Sequence, residues 1–448
     1  MEDRQIEDHR TSKSESHVTI GLEEQFPPVK GLLYGLQHVF VSNVWLDPVF
    51  VAAMIGLPFA LSANMINAIF IAAGLVTLVQ ATRWVRLPVV QGPSAAFDAL
   101  MISSGKTHTL PAAGGGVIVS AAIVFLLAVT GILAKMKAFF TPVISGTVIF
   151  IVGIGLSEFT LNLFLGGAPG TKNFLNGDVL AMSITTALLV IILSVFGTGM
   201  WRSFSFLIAL VIGDIIGFVL GALSFSDIAT RGWFGWPHFM PYGALHFDLL
   251  TFMTFFIAYI VAVIEAMGVY QAAADMVGVK LDQQRLRSGF AGESAGSMLS
   301  TLFGGFPTTG YGQNVGLMRL TGVGSRHAVK VAGIIFLILG FVPKAGAVLA
   351  ITPDAVVGGM FLPAAASLIF TGINILNRMA KTEANFVIAG LSILLAIALP
   401  DDFSSVDNWA GRLLGNTILV GALTAMLLQL VLVNIPNGLK SLRKEGHV

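Results

Sequence analysis

Glu265 stands deep in the apolar run FFIAYIVAVIEAMGVYQAAADM, far from the nearest charge on its N-terminal side, Asp248. A carboxylate in hydrocarbon is costly unless it is protonated, paired or held by hydrogen-bond donors. Such a group can bind the N–H edge of a polar solute and can answer to a coupling ion. Glu293 lies among small residues in GFAGESAGSML, a composition that lets helices approach closely. It reads either as a proton-binding group or as a structural partner for broken backbone. His38 follows Gln37 in GLQHVFVSN and reads either as a satisfied core histidine or as a proton carrier. The stretch FPTTGYGQNVGLMRLTG, residues 306–322, places Thr, Gly, Tyr and the pair Gln313-Asn314 between two long apolar runs. Asp98, Glu158 and Asp214 also fall in apolar segments, without a role that the pattern assigns, and Arg319 sits where it can snorkel to an interface.

These residues need apolar elements to hold them. The chain has 448 residues, 55% hydrophobic and 11% charged, with a mean hydropathy of +0.85. Soluble domains carry roughly 25% charged residues, so this composition belongs to a membrane protein. The net charge of +1 gives no reason to expect nucleic acid as a partner. The absence of cysteine removes disulfide and thiol chemistry. No HExxH or GxSxG constellation is present, which argues against an intramembrane hydrolase and against a catalytic metal. Residues 1–30 are polar and lack an apolar core, so they read as a tail rather than a signal peptide.

Spanning helices need about 20 mostly apolar residues. Candidates lie at about 31–57, 63–82, 113–134, 141–163, 178–198, 203–224, 247–276, 287–304, 325–349, 353–373, 384–400 and 413–434. Two shorter, interrupted segments, 87–103 and 306–321, bring the expectation to fourteen crossings. With the N-terminus cytoplasmic, the inner loops then hold Arg83, Arg86, Lys135, Lys137, Arg202, Lys280, Arg285, Arg287, Arg326, Lys330, Arg378, Lys381, Lys440, Arg443 and Lys444. The outer loops hold Lys106, Lys172, Arg231 and Arg412. That bias follows the positive-inside rule, and omitting the two short segments spoils it. Both termini are therefore expected on the cytoplasmic side.

The interrupted segments are third and tenth, so each is third in its half of seven. An odd number of crossings inverts the second half relative to the first. Matched broken segments in inverted halves point to a transporter's binding site. LPVVQ and FPTTGYG read as short extended stretches, each followed by a helix, from about Ser94 and about Asn314. Two such strands can pair at mid-membrane and aim two helix N-termini, with free N–H donors, at one spot. A small planar molecule rich in carbonyls and ring nitrogens suits that spot. In this reading Gln313 and Ala95 or Ala96 line one cavity.

Gln313-Asn314-Val315-Gly316 followed by Thr321-Gly322 matches the Q/E-N-x-G-x-x-x-x-T-G signature of the nucleobase–ascorbate transporters, also called the nucleobase:cation symporter-2 family. FPTTGYG resembles the stretch that precedes that signature, with Gly310 in place of a usual threonine, and Gln37-His38 resembles the family's pair in segment one. The resemblance runs from about residue 28 to the C-terminus and is similar in kind to bacterial xanthine and uric acid permeases. It implies an all-α polytopic fold of fourteen segments in two inverted repeats, with short strands in segments three and ten. The implied core domain comprises 31–137 and 247–350, and the implied gate domain 138–246 and 351–435. Tails of 1–30 and 436–448 flank them.

The same resemblance implies that Glu265 and Gln313 contact the base, with Asn314, Gly312, Ala95 and Ala96 in the binding region. Proton coupling or a structural role falls to Glu265, His38 and Glu293. It further implies a homodimer through the gate domains and no cofactor. Two positions depart from the family pattern. Val269 replaces a polar residue four places after the glutamate, and Ala95 and Ala96 stand where an aromatic usually follows the serine. Glutamine at position 313 offers donor and acceptor together, which suits the mixed edge of an oxidised purine. The expected function is proton symport of a nucleobase, with xanthine or uric acid preferred. A uracil permease of the same family and an anion transporter of the same fold are the alternatives.

Overall fold

In the computed structural model, residues 18–135, 141–403, 406 and 409–437 are described. The expected inner-loop charges Lys137, Lys440, Arg443 and Lys444 and most of the two expected tails lie outside these residues.

The chain is mostly helical. Proline opens several of the helices, because its fixed φ suits the first turn and its missing N–H costs nothing there. The first span is α1 (Pro28–Ser42) followed by α2 (Leu46–Ile55), and Asn43 between them takes a left-handed φ of 53°. Then come α3 (Phe59–Thr82), strand β1 (Gln91–Pro93), a tight turn at Ala95–Phe97, α4 (Asp98–Lys106) and α5 (Leu110–Val129). Next follow α6 (Pro142–Gly155), α7 (Ser157–Leu165), α8 (Gly177–Phe196) and α9 (Ser205–Val219). The second half begins with α10 (Leu249–Met276), α11 (Gln283–Leu302), strand β2 (Thr308–Gly310) and α12 (Gly312–Thr321). It continues with α13 (Arg326–Gly340) and α14 (Pro343–Ala350), bent by 82° from each other. It ends with α15 (Asp354–Leu376), α16 (Glu383–Phe403) and α17 (Thr417–Gln429), the last running on through a π turn at Leu430–Asn434. Among the described residues nine helices are long and apolar enough to cross a membrane, or ten if α13 and α14 are one span.

The helices sort into two packing groups. α3 packs on α11, α13 and α14, α5 on α10 and α11, and α1 on α13. Separately, α15 packs on α6, α7 and α8, α16 on α6 and α17, and α8 on α9. Small residues set the closest approaches. A Cβ at Gly74 of α3 would lie 2.7 Å from the Gly333 carbonyl of α13, so only glycine permits that spacing. The groups meet where α2 contacts α15 and where α10 contacts α6 and α17. The Phe50 and Phe361 rings stack across the α2–α15 contact with centroids 3.6 Å apart.

β1 and β2 pair antiparallel, with Gln91 opposite Gly310, Gly92 opposite Thr309 and Pro93 opposite Thr308. Isolated two-stranded pairs are marginal in water. Here burial at every position of both strands protects the hydrogen bonds. The pairing extends through Tyr311 N to Val90 O at 2.9 Å and Ser94 N to Pro307 O at 2.9 Å.

The stretch read as an N-terminal tail differs from that reading near residue 20. Ile20 bridges to Val323, and Gly322 O accepts from the backbone N–H groups of Thr19 and Ile20 at 2.9 Å each. Gly324 and Arg326 N–H groups donate back to Ile20 and Leu22. A run with no apolar periodicity gave no sign of this strap, because its bonds are backbone bonds to residues three hundred positions away.

Candidate functional site

Two helix N-termini converge through the strand pair. α12 begins immediately after β2, and the turn that opens α4 begins immediately after β1. Neither start has a side-chain cap, so the first backbone N–H groups keep their donor capacity. The helix dipole adds partial positive charge there.

Successive residues on a helix point about 100° apart, and that rotation divides the signature. Gly312, Gln313, Gly316, Arg319 and Leu320 form the exposed face of α12. Asn314 points the other way and is fully buried. Its amide donates to the His38 carbonyl at 3.0 Å and lies 3.0 Å from His38 Nδ1, which ties α12 to α1. A neutral His38 whose Nδ1 accepts this bond holds its proton on Nε2. Gly316 faces open space, since no atom lies within 4 Å of an added Cβ. Thr321 and Gly322 close the helix. Thr321 Oγ1 donates to Leu317 O at 2.9 Å, and Gly322 has the left-handed φ of 70° that glycine adopts without strain.

Glu265 is half-buried on α10, with Gly268 and Ala272 exposed on the same face. Ser94 Oγ donates to Glu265 Oε2 at 3.3 Å, so the residue that precedes Ala95 reaches the carboxylate. Ala95 is partly open, whereas Ala96 is buried. Phe97 is also buried, against Phe255 and Tyr259, and so does not reach the open face. Val269 packs toward the strand pair, with its side chain close to Gly310 and Gly312.

Behind Glu265 lies a buried polar network. Tyr270 OH donates to Glu293 Oε1 at 2.8 Å and accepts from Gln80 Nε2 at 3.0 Å. The Gln91 amide lies 3.1 Å from the same hydroxyl. With its oxygen turned to Tyr270, its nitrogen reaches Glu293 Oε1 at 3.1 Å and Thr309 O at 3.2 Å, and the single Tyr270 hydroxyl proton then serves either Gln91 or Glu293. Thr308 Oγ1 donates to Glu293 O at 3.4 Å, and Thr308 N donates to Ser297 Oγ at 3.0 Å. Glu293 thus holds the strand pair from behind, while Glu265 faces forward.

On the other side Tyr311 OH donates to Asp47 Oδ2 at 3.1 Å. The sequence alone does not single out Asp47, Tyr270, Gln91, Ser94 or Tyr311. An acidic residue between Trp45-Leu46 and Pro48 was the visible signal for Asp47. Of the other intramembrane acids, Glu158 is exposed in the first turn of α7, and Asp214 accepts from Thr352 Oγ1 at 3.3 Å. Small cavities elsewhere, such as that between α3 and the loop carrying Arg231, Trp236 and His238, do not touch Glu265 or Gln313.

Comparison with known proteins identifies the family of the chain. A family model described as "Permease family" matches residues 29–405. The uric acid permease PucK of Bacillus subtilis is 32% identical over 91% of this chain and 96% of its own length. The xanthine permease of Bacillus subtilis is 30% identical over 94% of this chain and 97% of its own. Among solved structures, the transmembrane domain of the cyanobacterial bicarbonate transporter BicA superposes with a TM-score of 0.60. It covers 91% of this chain and 99% of its own at 18% identity, a likeness of fold alone. These relatives are transporters and not enzymes, and the chain belongs to the permease family of nucleobase–ascorbate transporters.

Proposed function

We propose that this transporter imports a purine, with xanthine or uric acid preferred, by proton symport and alternating access. The observation that carries the reading is the juxtaposition of Glu265 with two uncapped helix N-termini on a paired strand. Glu265 accepts substrate N–H groups, and the N-termini donate to substrate carbonyls. Gln313, on the exposed face of α12, donates and accepts at once, which fits an oxidised purine edge better than an acceptor-only carboxylate does. The uric acid and xanthine permeases among the relatives support the purine class.

The carrier has fourteen segments in two inverted repeats, with both termini cytoplasmic, in the plasma membrane of a bacterium. The group containing α1, α3, α5, α10, α11 and α13 is its core domain, and the group around α15 is its gate domain. A proton on Glu265, His38 or Glu293 lets the loaded core move without a bare buried charge. The gate helices have exposed apolar faces that suit lipid or a second copy, so a homodimer forms through them.

Uptake of labelled xanthine and uric acid into cells expressing the chain tests this function. Unlabelled uracil and sulfate serve as competitors, and the proton gradient is then collapsed. Purine uptake that is blocked only by purines and lost with the gradient is the expected result. Uptake of sulfate in place of purines, or purine uptake driven by sodium, refutes it.

A further inference from the structure

Asp98 opens α4 and is fully buried, and among the described residues neither of its carboxyl oxygens has a hydrogen-bond partner. The charged groups that act on it are two more carboxylates, Asp47 of α2 and Glu265 of α10. Tyr311 belongs to the same group: it donates to Asp47 and feels both Asp98 and Glu265. The other neighbours add no charge. Tyr259 of α10 meets Phe97 edge-on, α5 and α6 carry no ionisable side chain, and Lys106 at the far end of α4 lies over the Phe159 ring.

Three carboxylates with two hydroxyl donors, Tyr311 on Asp47 and Ser94 on Glu265, cannot all stay charged in such surroundings. Like charges repel more strongly as water is excluded, and an unpaired buried ion is costly. Among the described residues no group of three acidic or histidine side chains is arranged to hold a metal. A proton needs no such cage. It removes one charge and turns one carboxyl oxygen into a donor. The N-terminal position on α4 pulls the other way, because the helix dipole favours the anion. Opposed influences of this kind poise a group to exchange its proton.

We propose that Asp98 is a second proton-binding residue of this carrier, in one group with Asp47, which Tyr311 ties to the broken segments. A carboxylate oxygen takes H⁺ from water on one side of the membrane and returns it to water on the other. No bond other than O–H forms or breaks. The inference rests on the proton-coupled reading given above, with Glu265 or its neighbours carrying the first proton.

The test is accumulation of labelled xanthine by the full chain in liposomes, at a pH where the base is neutral. It uses zero membrane potential and an imposed gradient of about one pH unit. Each coupled proton contributes a factor of about ten. Wild type is expected to accumulate about a hundredfold, and Asp98→Asn about tenfold with counterflow retained. Wild-type accumulation of only about tenfold overturns the second proton and leaves symport standing, whereas no accumulation overturns symport itself. Infrared spectra of the same samples locate the proton. A deuterium-sensitive carboxylic-acid band lost in Asp98→Asn but kept in Glu265→Gln is expected. A spectrum unchanged by Asp98→Asn overturns the assignment. Should Asp98→Asn fail to fold, a wild-type ratio of only about tenfold still overturns the second proton.

Discussion

The two packing groups are built from similar lengths of apolar helix but bury them differently. In the first group 78% of the apolar window of α3 is buried, against 22% for α16 in the second. The first group, with α2 and α4 at its edge, also holds the buried and half-buried ionisable chemistry: Glu265, Glu293, Asp47, Asp98 and His38, with Asn314 and the Gln80–Tyr270–Gln91 network. The second offers Asp214 with its Thr352 partner and scattered buried hydroxyls and amides such as Thr147, Ser183, Ser392 and Gln429. Broken backbone explains the contrast. Strands and helix ends inside a membrane need partners for their N–H and C=O groups, and only surrounding protein supplies them. Continuous helices satisfy themselves and can face lipid. The polar group is therefore the one that must stay wrapped, and the apolar group can serve as its cover.

The comparison is broken most directly at Glu265. Glu265→Gln keeps the shape but removes the charge proposed to hold substrate N–H groups. Hydrogen bonds to charged groups are worth about 1.5–3 kcal/mol, so the loss is roughly 10- to 150-fold in apparent affinity, together with coupling. Labelled purine uptake measures it. Wild-type active transport by this variant would remove the carboxylate from the site.

Gln313→Glu sharpens the picture within the same group. It deletes one donor on the exposed face of α12 and, on the proposed contact, leaves a substrate acceptor unpaired at a cost of about 1–3 kcal/mol. Purine uptake should weaken by that factor while uracil uptake improves. A competition panel with unchanged ranking rules out direct contact.

Asp214→Asn addresses the second group. Its carboxylate accepts from the Thr352 hydroxyl at 3.3 Å, and an amide oxygen can accept the same bond. Uptake and its pH profile should stay within about twofold, with stability changed by less than about 1 kcal/mol. Loss of proton coupling in this variant would show that the chemistry is shared between the groups.

Much of this arrangement is legible in the residues. Proline and glycine flank the extended stretches at 87–93 and 306–310, and these are where the chain leaves the helix. Glu265 stands out because its surroundings are apolar. The signature marks Gln313 and Asn314 equally, yet the helix turns one outward and the other inward. A motif cannot show which is which until the start of the helix is fixed to within a residue. Tyr270 and Gln91 escape sequence reasoning for a different reason. Each is an ordinary residue whose meaning comes from a partner on another segment, and only the packing of α3, α10 and α11 brings Gln80, Tyr270 and Glu293 together.

The smallest effect is expected at the end of the polar group, where the strap of residues 18–24 is pinned. Glu23 accepts from Arg326 Nε at 2.8 Å and from Arg86 Nη2 at 3.1 Å. The hydrogen bond from Arg326 does most to hold the Glu23 carboxyl below its ordinary range; burial opposes it, and the charge of Arg326 with the hydrogen bond and charge of Arg86 reinforce the lowering. A carboxyl depressed in the folded state stabilises above its unfolded pKa of about 4.3 and loses that contribution as pH falls through the folded value. Glu23 is 53% exposed, so solvent screening limits the gain to under about 1 kcal/mol. Glu23→Gln should therefore melt slightly below wild type at neutral pH, with a gap that shrinks in high salt. The two melting curves should converge below the folded pKa. A gap that widens on acidification would mean that the strap is held by its backbone bonds to residues 322–326 and that Glu23 acts elsewhere.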